Sequence, residues 1–233
     1  MARGEGSPAP LREGAGVVAE LRFAAGSETL AATRYGDVPR VLSFHGTGRT
    51  ASRGGIRYLL ETLGAPSACF DFSGHGESSG SFEESTLRKR IDEAAEAARV
   101  LCPPSPRAIL GTSMGAHIAA VLTPRLRPRT LVFFCPAAYP TAVDDVPVTT
   151  LRPTSLSSPA FAALRDFDGT LLIVAGREDT VAGPEIVEAY LRSAPAAASK
   201  VIWLKGCGHA VHPWLREHET ERVMVLDEIA RAI

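Results

Sequence analysis

The sequence predicts an α/β fold with a mainly parallel central sheet flanked by helices. Short apolar runs alternate with longer segments of helical periodicity along most of the chain. This alternation is typical of buried parallel strands joined by crossover helices, because strands covered on both faces are apolar throughout. The 233 residues are 45% hydrophobic and 22% charged, which is the composition of a globular domain. We therefore expect a single domain over residues 17–233, after a flexible segment at residues 1–16.

The sheet is expected to begin with a hairpin at its edge. Two segments of alternating polarity, 17–24 and 29–35, flank a short polar turn, which indicates two antiparallel strands. Six later apolar runs are predicted to form buried strands: residues 41–44, 68–72, 108–110, 131–134, 171–174 and 201–204. Five segments with helical periodicity are predicted to form helices: residues 53–63, 83–101, 114–122, 184–192 and 215–232.

Two segments need separate interpretation. The helix predicted at 83–101 carries alternating charges on one face and small apolar residues on the other, so we expect the charged face to be solvated. Residues 136–168, directly after the sixth predicted strand, hold five prolines and no clear strand. We predict that this segment forms a short lid or an excursion over the end of the sheet.

Charge and composition exclude several classes of partner. The chain has 25 basic and 26 acidic residues, a net charge of −1, and no basic run that could neutralise several phosphates. We therefore expect no nucleic-acid partner. No apolar segment is long enough to span a bilayer, and residues 1–16 lack the apolar stretch of a signal peptide, so no membrane partner is expected and we predict a soluble cytoplasmic protein. The four cysteines form no C-x-x-C pair, as fits a reducing cytoplasm: Cys69, Cys102, Cys135 and Cys207. The oligomeric state leaves no signal in the sequence.

The strongest chemical signal is the pentapeptide G-T-S-M-G at residues 111–115, which follows a predicted strand and precedes a predicted helix. A serine in so tight a strand-to-helix turn needs glycines two positions to either side, because a Cβ there would clash with the backbone. The turn exposes the Ser113 Oγ above the sheet and points the next amide into the same site. The alternative is an ordinary turn, since G-x-S-x-G also arises by chance.

An acid and a histidine follow in an informative order. The segment G-R-E-D-T-V at 176–181 comes after a later strand, and G-C-G-H at 206–209 comes after the last one. Ser113, Asp179 and His209 each lie just past the carboxyl end of a predicted strand, where open parallel sheets bind ligands. The order serine, acid, histidine favours a serine nucleophile activated by a histidine.

These motifs resemble those of α/β-hydrolases of the esterase and serine-aminopeptidase-like branch, across nearly the whole chain. F-H-G-T-G at 44–48 resembles the family's H-G-x-G oxyanion loop, and D-F-S-G-H-G-E-S at 71–78 resembles its D-x-x-G-H-G-x-S turn. Asp179 matches the acid of G-x-x-D-x-V, and His209 matches the histidine of G-x-x-H. The resemblance implies an α/β-hydrolase fold and a serine hydrolase that cleaves a carboxylic ester or thioester, with no cofactor and no metal.

The resemblance also implies a role for each residue. Ser113 would attack the carbonyl carbon, His209 would take and return the proton, and Asp179 would orient the histidine. The backbone amides of Thr47 and Met114 would form the oxyanion hole. Four residues would support this arrangement: His45, Gly46, Gly111 and Gly115. The family pattern is broken at two positions, where Thr112 replaces a frequent histidine and Cys207 lies two residues before His209.

Some residues compete for these roles. His212 is the alternative base if the last loop is longer, although no glycines precede it. Asp144 and Asp145, after the sixth strand, are the alternative acids. His45 is expected to brace the oxyanion loop rather than to react. A metal site is not expected, because His209 and His212 have no third ligand at a usable spacing.

Other functions are also consistent with parts of the sequence. G-T-G-R-T-A at 46–51 follows a strand, with Asp71 further on, as in a dinucleotide-binding fingerprint. No tyrosine is followed by a lysine at the Y-x-x-x-K spacing, however, and this interpretation leaves Ser113 unexplained. Within the family resemblance, the same residues could serve an acyltransferase, or a catalytically silent homologue that only binds a ligand. The expected partner in each of these cases is a small-molecule acyl substrate or ligand.

Overall fold

The computed structural model describes residues 18–152 and 155–233, so the predicted flexible segment 1–16 lies outside the described residues. The strands are β1 (Val18–Ala25), β2 (Glu28–Tyr35), β3 (Val41–Phe44), β4 (Ser67–Phe70), β5 (Ala108–Thr112), β6 (Thr130–Phe134), β7 (Thr170–Gly176) and β8 (Ala198–Leu204). The α-helices are α1 (Arg57–Leu63), α2 (Leu87–Leu101), α3 (Met114–Leu126), α4 (Pro159–Ala163), α5 (Pro184–Ser193), α6 (Val211–Glu217) and α7 (Glu219–Ala232). Short 3-10 turns occur at Arg53–Gly55, Thr141–Val143 and Val148–Thr150.

The strands form one eight-stranded sheet in the order β1-β2-β4-β3-β5-β6-β7-β8. The first two strands form the predicted antiparallel hairpin, and β2 pairs antiparallel with β4. From β4 to β8 every neighbouring pair is parallel. The prediction of an α/β fold with a mainly parallel sheet is therefore confirmed. Parallel pairing also brings the carboxyl ends of β3 and β5–β8 to one edge, where the motif residues follow.

Helices cover both faces of the sheet, as the apolar strands require. Successive strand residues belong to opposite cores: Ile109 packs on one side, and Ala108 and Leu110 pack on the other. Helices α2, α3 and α5 contribute to the first core, and α1, α6 and α7 to the second. None of the helices in the described part of the chain is long and apolar enough to cross a membrane.

Four of the five predicted helices have boundaries that differ by more than one residue from those observed, and the helix expected at 114–122 extends to Leu126. The helix expected from residue 83 begins at Leu87, because Thr86 is its N-cap and accepts a hydrogen bond from the Lys89 amide at 3.2 Å. The helix expected at 215–232 is two helices, since His218 is non-helical with φ −120° and ψ 87°. The helix expected from residue 53 starts as a 3-10 turn before α1.

The expectation that the charges of α2 face solvent is wrong for two of its residues. Arg90 is 0% exposed and Glu93 is 2% exposed, and their side chains pair at 3.1 Å. The pair turns inward because the turn at residues 71–78 packs against this part of α2, and the Ser73 amide and hydroxyl bond to the pair.

The segment 136–168 attaches to the helices of the first core. Its helix α4 packs against α3. Inside this contact, the Nδ1 atom of His117 accepts hydrogen bonds from the Tyr139 amide and the Ser158 hydroxyl, both at 3.3 Å. A buried imidazole on α3 therefore joins two points of the segment to the domain.

We expect His117→Phe to make the free energy of unfolding less sensitive to acid. Burial lowers the pKa of His117 to about 3, whereas a histidine in an unfolded chain has a pKa of about 6.5. As the pH falls below about 6.5, the unfolded chain binds a proton that the native state excludes, so this residue reduces stability by ~1.4 kcal/mol per pH unit until about pH 3. Urea denaturation at a series of pH values between about 7 and about 5 measures the difference in slope between wild type and variant. Identical slopes would contradict the prediction.

Candidate active site

Ser113 lies in a strained turn between β5 and α3. Its backbone has φ 51° and ψ −111°, in a region that side chains other than glycine rarely adopt. The Ser113 amide donates to the Phe134 carbonyl at 2.9 Å, and the Ser113 carbonyl accepts from the Ala116 and Ala137 amides at 3.0 and 3.2 Å. Such strain costs about 1–3 kcal/mol and persists only where the surroundings fix it, as these three bonds do.

The glycines around Ser113 allow backbones to approach closely. A Cβ on Gly111 would lie 2.5 Å from the Cα of Ala116, and a Cβ on Gly115 would lie 2.2 Å from the Phe44 carbonyl oxygen. These distances are far shorter than van der Waals contact, so the sequence requirement for glycine at both positions has a direct steric cause. The result is a tight junction of the loop after β3 with the start of α3.

Three side chains from three strand ends form a hydrogen-bonded chain. The Oγ of Ser113 lies 3.0 Å from Nε2 of His209, and Nδ1 of His209 lies 2.8 Å from Oδ2 of Asp179. The other carboxylate oxygen accepts hydrogen bonds from the amides of Val181 and Ala182 at 2.8 and 2.9 Å. The structure thus brings together the serine, the acid and the histidine that the sequence singled out.

The surroundings of Asp179 keep its carboxyl group ionised. Burial on its own would raise the pKa of Asp179, but the hydrogen bonds from His209 and from the amides of Ala182 and Val181 hold the pKa below its usual value. A carboxylate that accepts from Nδ1 places the imidazole proton on Nδ1. Nε2 is then the free acceptor that faces the serine hydroxyl.

His212 lies close to this chain of bonds but has different partners. Its Nε2 is 2.8 Å from the Thr112 hydroxyl, and its Nδ1 is 3.2 Å from the Tyr58 hydroxyl. Burial lowers the pKa of His212 to about 3, so the ring is neutral at physiological pH. The departure from the family pattern at Thr112 supplies the hydroxyl that this histidine needs. Nothing in the sequence pairs these three residues, because they belong to separate segments.

The alternative acids lie elsewhere. Asp145 forms a two-point ion pair with Arg88 at the start of α2, with N–O distances of 2.6 and 2.9 Å. The Asp144 carbonyl accepts from the Arg88 amide at 2.9 Å. Both aspartates therefore fasten the 136–168 segment to α2 rather than approach His209.

Buried histidines hold the loop after β3. Nδ1 of His45 donates to the Gly46 carbonyl at 2.7 Å, while Nε2 accepts from the Phe72 amide at 3.0 Å. In a trans peptide the C=O and N–H bonds point in opposite directions, so the bond to Gly46 also fixes the direction of the Thr47 amide. These contacts are those that a bracing residue would make, and the role of His45 stays a prediction.

A second histidine and a buried arginine extend this brace. Nε2 of His75 donates to the Gly48 carbonyl at 3.0 Å, and its Nδ1 lies 3.4 Å from a terminal nitrogen of Arg90. Nδ1 is also 3.4 Å from the Ser73 carbonyl oxygen, but the shorter bond to the Gly48 carbonyl and the arginine, which can only donate, together favour the proton of His75 on Nε2. Both carbonyls that flank Thr47 are thus held by buried imidazoles. Sequence reasoning missed Arg90, since its charge alone predicted a solvated position.

A cavity of about 280 Å³ opens beside Ser113. Its wall includes the 45–56 loop and the start of α6, and no Asp, Glu, Lys or Arg side chain lines it. Among the described residues of the 136–168 segment, none contributes to this wall, so the role of that segment as a lid stays a prediction. The site therefore has an uncharged cavity directly next to a hydrogen-bonded serine.

We expect Gly115→Ala to lower the free energy of unfolding by about 1–3 kcal/mol, the usual cost of inserting an atom into a packed site. The added Cβ would lie 2.2 Å from a backbone carbonyl oxygen, which cannot rotate away. Gly55→Ala is the matched control, because a Cβ there meets no atom within 4 Å. Equal stability of the two variants in chemical denaturation would refute the close approach.

Comparison with known proteins identifies the family and the fold of the chain. The family model described as serine aminopeptidase, S33 matches residues 38–156. No curated protein sequence matches significantly. A serine hydrolase involved in carbazole degradation has a similar structure, with a TM-score of 0.68 at 18% identity over 91% of this chain and 100% of that chain. A CIB-like hydrolase from Thermoplasma acidophilum has a TM-score of 0.68 at 16% identity, over 92% of this chain and 99% of that chain. The thioesterase domain of the curacin biosynthetic pathway has a TM-score of 0.67 at 14% identity, over 90% of this chain and 99% of that chain.

At such identities the structural likeness establishes the fold, and the family model covers half of the sequence, including Ser113 and the loop after β3. The dinucleotide-binding interpretation of residues 46–51 falls away, because that loop packs against the serine turn of an α/β-hydrolase sheet. The chain belongs to the serine aminopeptidase family within the α/β-hydrolase superfamily.

Proposed function

We propose that this hydrolase cleaves a carboxylic ester or thioester through an acyl-enzyme intermediate on Ser113. The observation that carries the proposal is the unbroken chain of bonds from the Ser113 hydroxyl through His209 to Asp179, with lengths of 3.0 and 2.8 Å. A serine hydroxyl is a weak nucleophile on its own, and an adjacent oriented base is what activates it.

The proposed reaction follows from the proton positions. As the Ser113 Oγ attacks the substrate carbonyl, its proton moves to Nε2 of His209. The imidazolium that results is stabilised by the Asp179 carboxylate, which the amide hydrogen bonds keep ionised. His209 then returns the proton to the leaving alcohol or thiol, and a water molecule activated by the same base hydrolyses the acyl-enzyme.

The oxyanion would be bound by the amides of Thr47 and Met114. Met114 is the first residue of α3, so its amide has no acceptor one turn earlier in the helix. The helix terminus adds a favourable field for negative charge. In other hydrolases one such donor is worth roughly 3–4 kcal/mol of transition-state stabilisation. The His45 bond to the Gly46 carbonyl would keep the Thr47 amide directed at the oxyanion, and the His75 bond to the Gly48 carbonyl would hold the loop that follows.

The cavity favours a small, uncharged acyl group. Its volume of about 280 Å³ is at the lower end of ligand sites, and an ionised group would meet no countercharge there. The structural neighbours include a protein described as a thioesterase domain, so thioesters belong to the proposed substrate class. Hydrolysis is favoured over acyl transfer because the cavity is open to solvent.

We also propose a reducing compartment such as the cytoplasm. All four cysteines are free and buried, which fits an environment where thiols stay reduced.

We expect a fluorophosphonate to add once to the wild-type protein and not to Ser113→Ala, as measured by intact mass. This reagent tests activation of the serine without knowledge of the substrate. The variant should unfold at nearly the wild-type temperature, because only one hydroxyl is lost. A folded wild type that forms no adduct would support the silent ligand-binding homologue instead.

Replacement of the acid should impair turnover without unfolding the protein. Asp179→Asn keeps the size of the side chain but presents an amide that favours the wrong imidazole tautomer, so we expect kcat to fall by up to about 10⁴-fold. Asp145→Asn is the matched control, since that aspartate pairs with Arg88 on the surface. Steady-state kinetics on a reactive ester will separate the two, and comparable activity of the variants would exclude Asp179 as the acid.

The second histidine brace should affect kcat more than KM. His75→Ala removes the donor to the Gly48 carbonyl, and we expect kcat to fall by about tenfold or more, below the loss of a whole oxyanion donor. His75→Gln, whose amide can donate to the same carbonyl, should recover part of the rate. Equal kcat values for wild type and His75→Ala, measured with the same ester, would show that the bond has no positioning role.

A further inference from the structure

A third side chain with a metal-binding atom lies beside the Asp179–His209 pair. Cys135 follows β6 directly, and its sulfur, a ring nitrogen of His209 and a carboxylate oxygen of Asp179 all lie within 4.8 Å of one another. The sulfur is also 3.8 Å from the Gly208 carbonyl oxygen, in the loop that carries the histidine. The proposed hydrolysis gives this fully buried thiol no role.

The backbone holds the sulfur in this position at a conformational cost. Cys135 has φ 43°, and in the described part of the chain only Ser113 and Arg127 share a positive φ without being glycine. Its amide donates to the Val174 carbonyl at 2.9 Å, which ties the end of β6 to β7. Left-handed backbone at a residue other than glycine is unfavourable and clusters at functional sites.

We propose that Cys135, Asp179 and His209 form a three-ligand inhibitory site for a thiophilic divalent cation, Zn²⁺ or Cd²⁺. The inhibition rests on the proposed function, whereas the binding does not. Thiolate sulfur, imidazole nitrogen and carboxylate oxygen are the ligands that zinc prefers, at about 2.0–2.3 Å. Ligand atoms around a tetrahedral ion are then about 3.5 Å apart. Nδ1 of His209 and Oδ2 of Asp179 are 2.8 Å apart, so a bound ion would replace their hydrogen bond and separate the two atoms.

Proton and charge balance explain why the bound metal would inhibit. The Cys135 thiol releases its proton to solvent as the sulfur–metal bond forms, and Asp179 is already a carboxylate. The imidazole proton moves from Nδ1 to Nε2 when Nδ1 of His209 binds the metal. One thiolate and one carboxylate neutralise the divalent charge, so no net charge remains in the buried site. A protonated Nε2 can no longer accept the Ser113 proton, and the serine loses its base.

Burial raises the pKa of the Cys135 thiol, so at neutral pH the thiol is protonated when no metal is bound. A metal bound to the sulfur takes the place of that proton, so the raised pKa of the thiol does not prevent coordination. The sequence alone did not reveal this site, because its three ligands follow three different strands.

Metal binding is measured first in Ser113→Ala, which needs no turnover. Metal-free protein is titrated with Cd²⁺ while the ultraviolet thiolate-to-cadmium absorbance is recorded, and with Zn²⁺ by calorimetry. We expect one ion per chain and a thiolate band. Adding Cys135→Ala should abolish the band and weaken Zn²⁺ binding by at least about tenfold.

Cys207→Ala is the matched control for this titration. Cys207 is also fully buried, and its sulfur lies 3.3 Å from the same Gly208 carbonyl, but it is outside the ligand cluster. This variant should keep the band. A band that survives Cys135→Ala, or that disappears equally in Cys207→Ala, overturns the proposal. If circular dichroism shows Cys135→Ala to be unfolded, Cys135→Ser replaces it, because serine keeps the volume but not the soft sulfur.

Inhibition is measured as the rate of fluorophosphonate labelling with Zn²⁺ and again after chelation, each relative to the same protein without metal. We expect reversible slowing in wild type and in Cys207→Ala, and much weaker slowing in Cys135→Ala. Equal slowing in Cys135→Ala would mean that the ion acts through His209 alone and would overturn the three-ligand site. Cd²⁺ binding in Ser113→Ala together with an unreactive wild type would refute the proposed hydrolysis and leave the metal site standing.

Discussion

The close backbone contact between the start of α3 and the loop after β3 is the constraint on which this site depends. Gly115 lies so near the Phe44 carbonyl that no Cβ fits between them, and Gly46 packs on the Cβ of Ser113. Strands β3 and β5 are neighbours in the sheet, so their carboxyl ends deliver both segments to the same place. The strained Ser113 conformation survives because bonds to the Phe134 and Ala137 backbone fix it from the side of β6.

Buried charged groups then set the positions of the loops that the apolar core does not fix. Arg90 and Glu93 bind the turn at residues 71–78 to α2, and Arg53 pairs with Asp71 on the other side of that turn. A buried ion pair gains little net stability, because desolvation offsets most of the attraction. Its directional bonds instead specify one loop arrangement. In this molecule the specified arrangement places imidazoles on the carbonyls around Thr47.

The surroundings of Asp179 suit it both to orient a histidine and to bind a metal ion. Asp179 is desolvated, kept ionised by two amides, and directed at the histidine. These are the properties that make it suitable to stabilise an imidazolium. An ionised, oriented carboxylate beside an imidazole and a thiol is equally suited to a soft cation. The arrangement that would support proton transfer in the proposed reaction would therefore also provide the ligands for the inhibitory cation that we infer at Cys135.

The sequence by itself determined the strand and helix alternation, because apolar runs and helical periodicity are local properties. It also singled out Ser113 and Asp179 and favoured His209 over His212, since short-range steric rules require glycines beside the serine and the strand ends define the sheet edge. Helix starts and breaks were less well predicted, as with the break at His218, because caps and local backbone conformation decide them.

Only the tertiary structure decided which histidine meets the serine, that Arg90 is buried, and that Cys135 adjoins the acid. His209 and Ser113 are 96 residues apart in the chain, so their contact depends on the order and register of the strands. His212 follows His209 by three residues, and its contacts with Thr112 and Tyr58 are set by how α6 packs over α1 and the serine turn. Local patterns cannot specify such contacts, because their energies come from packing between segments that no short window of sequence contains.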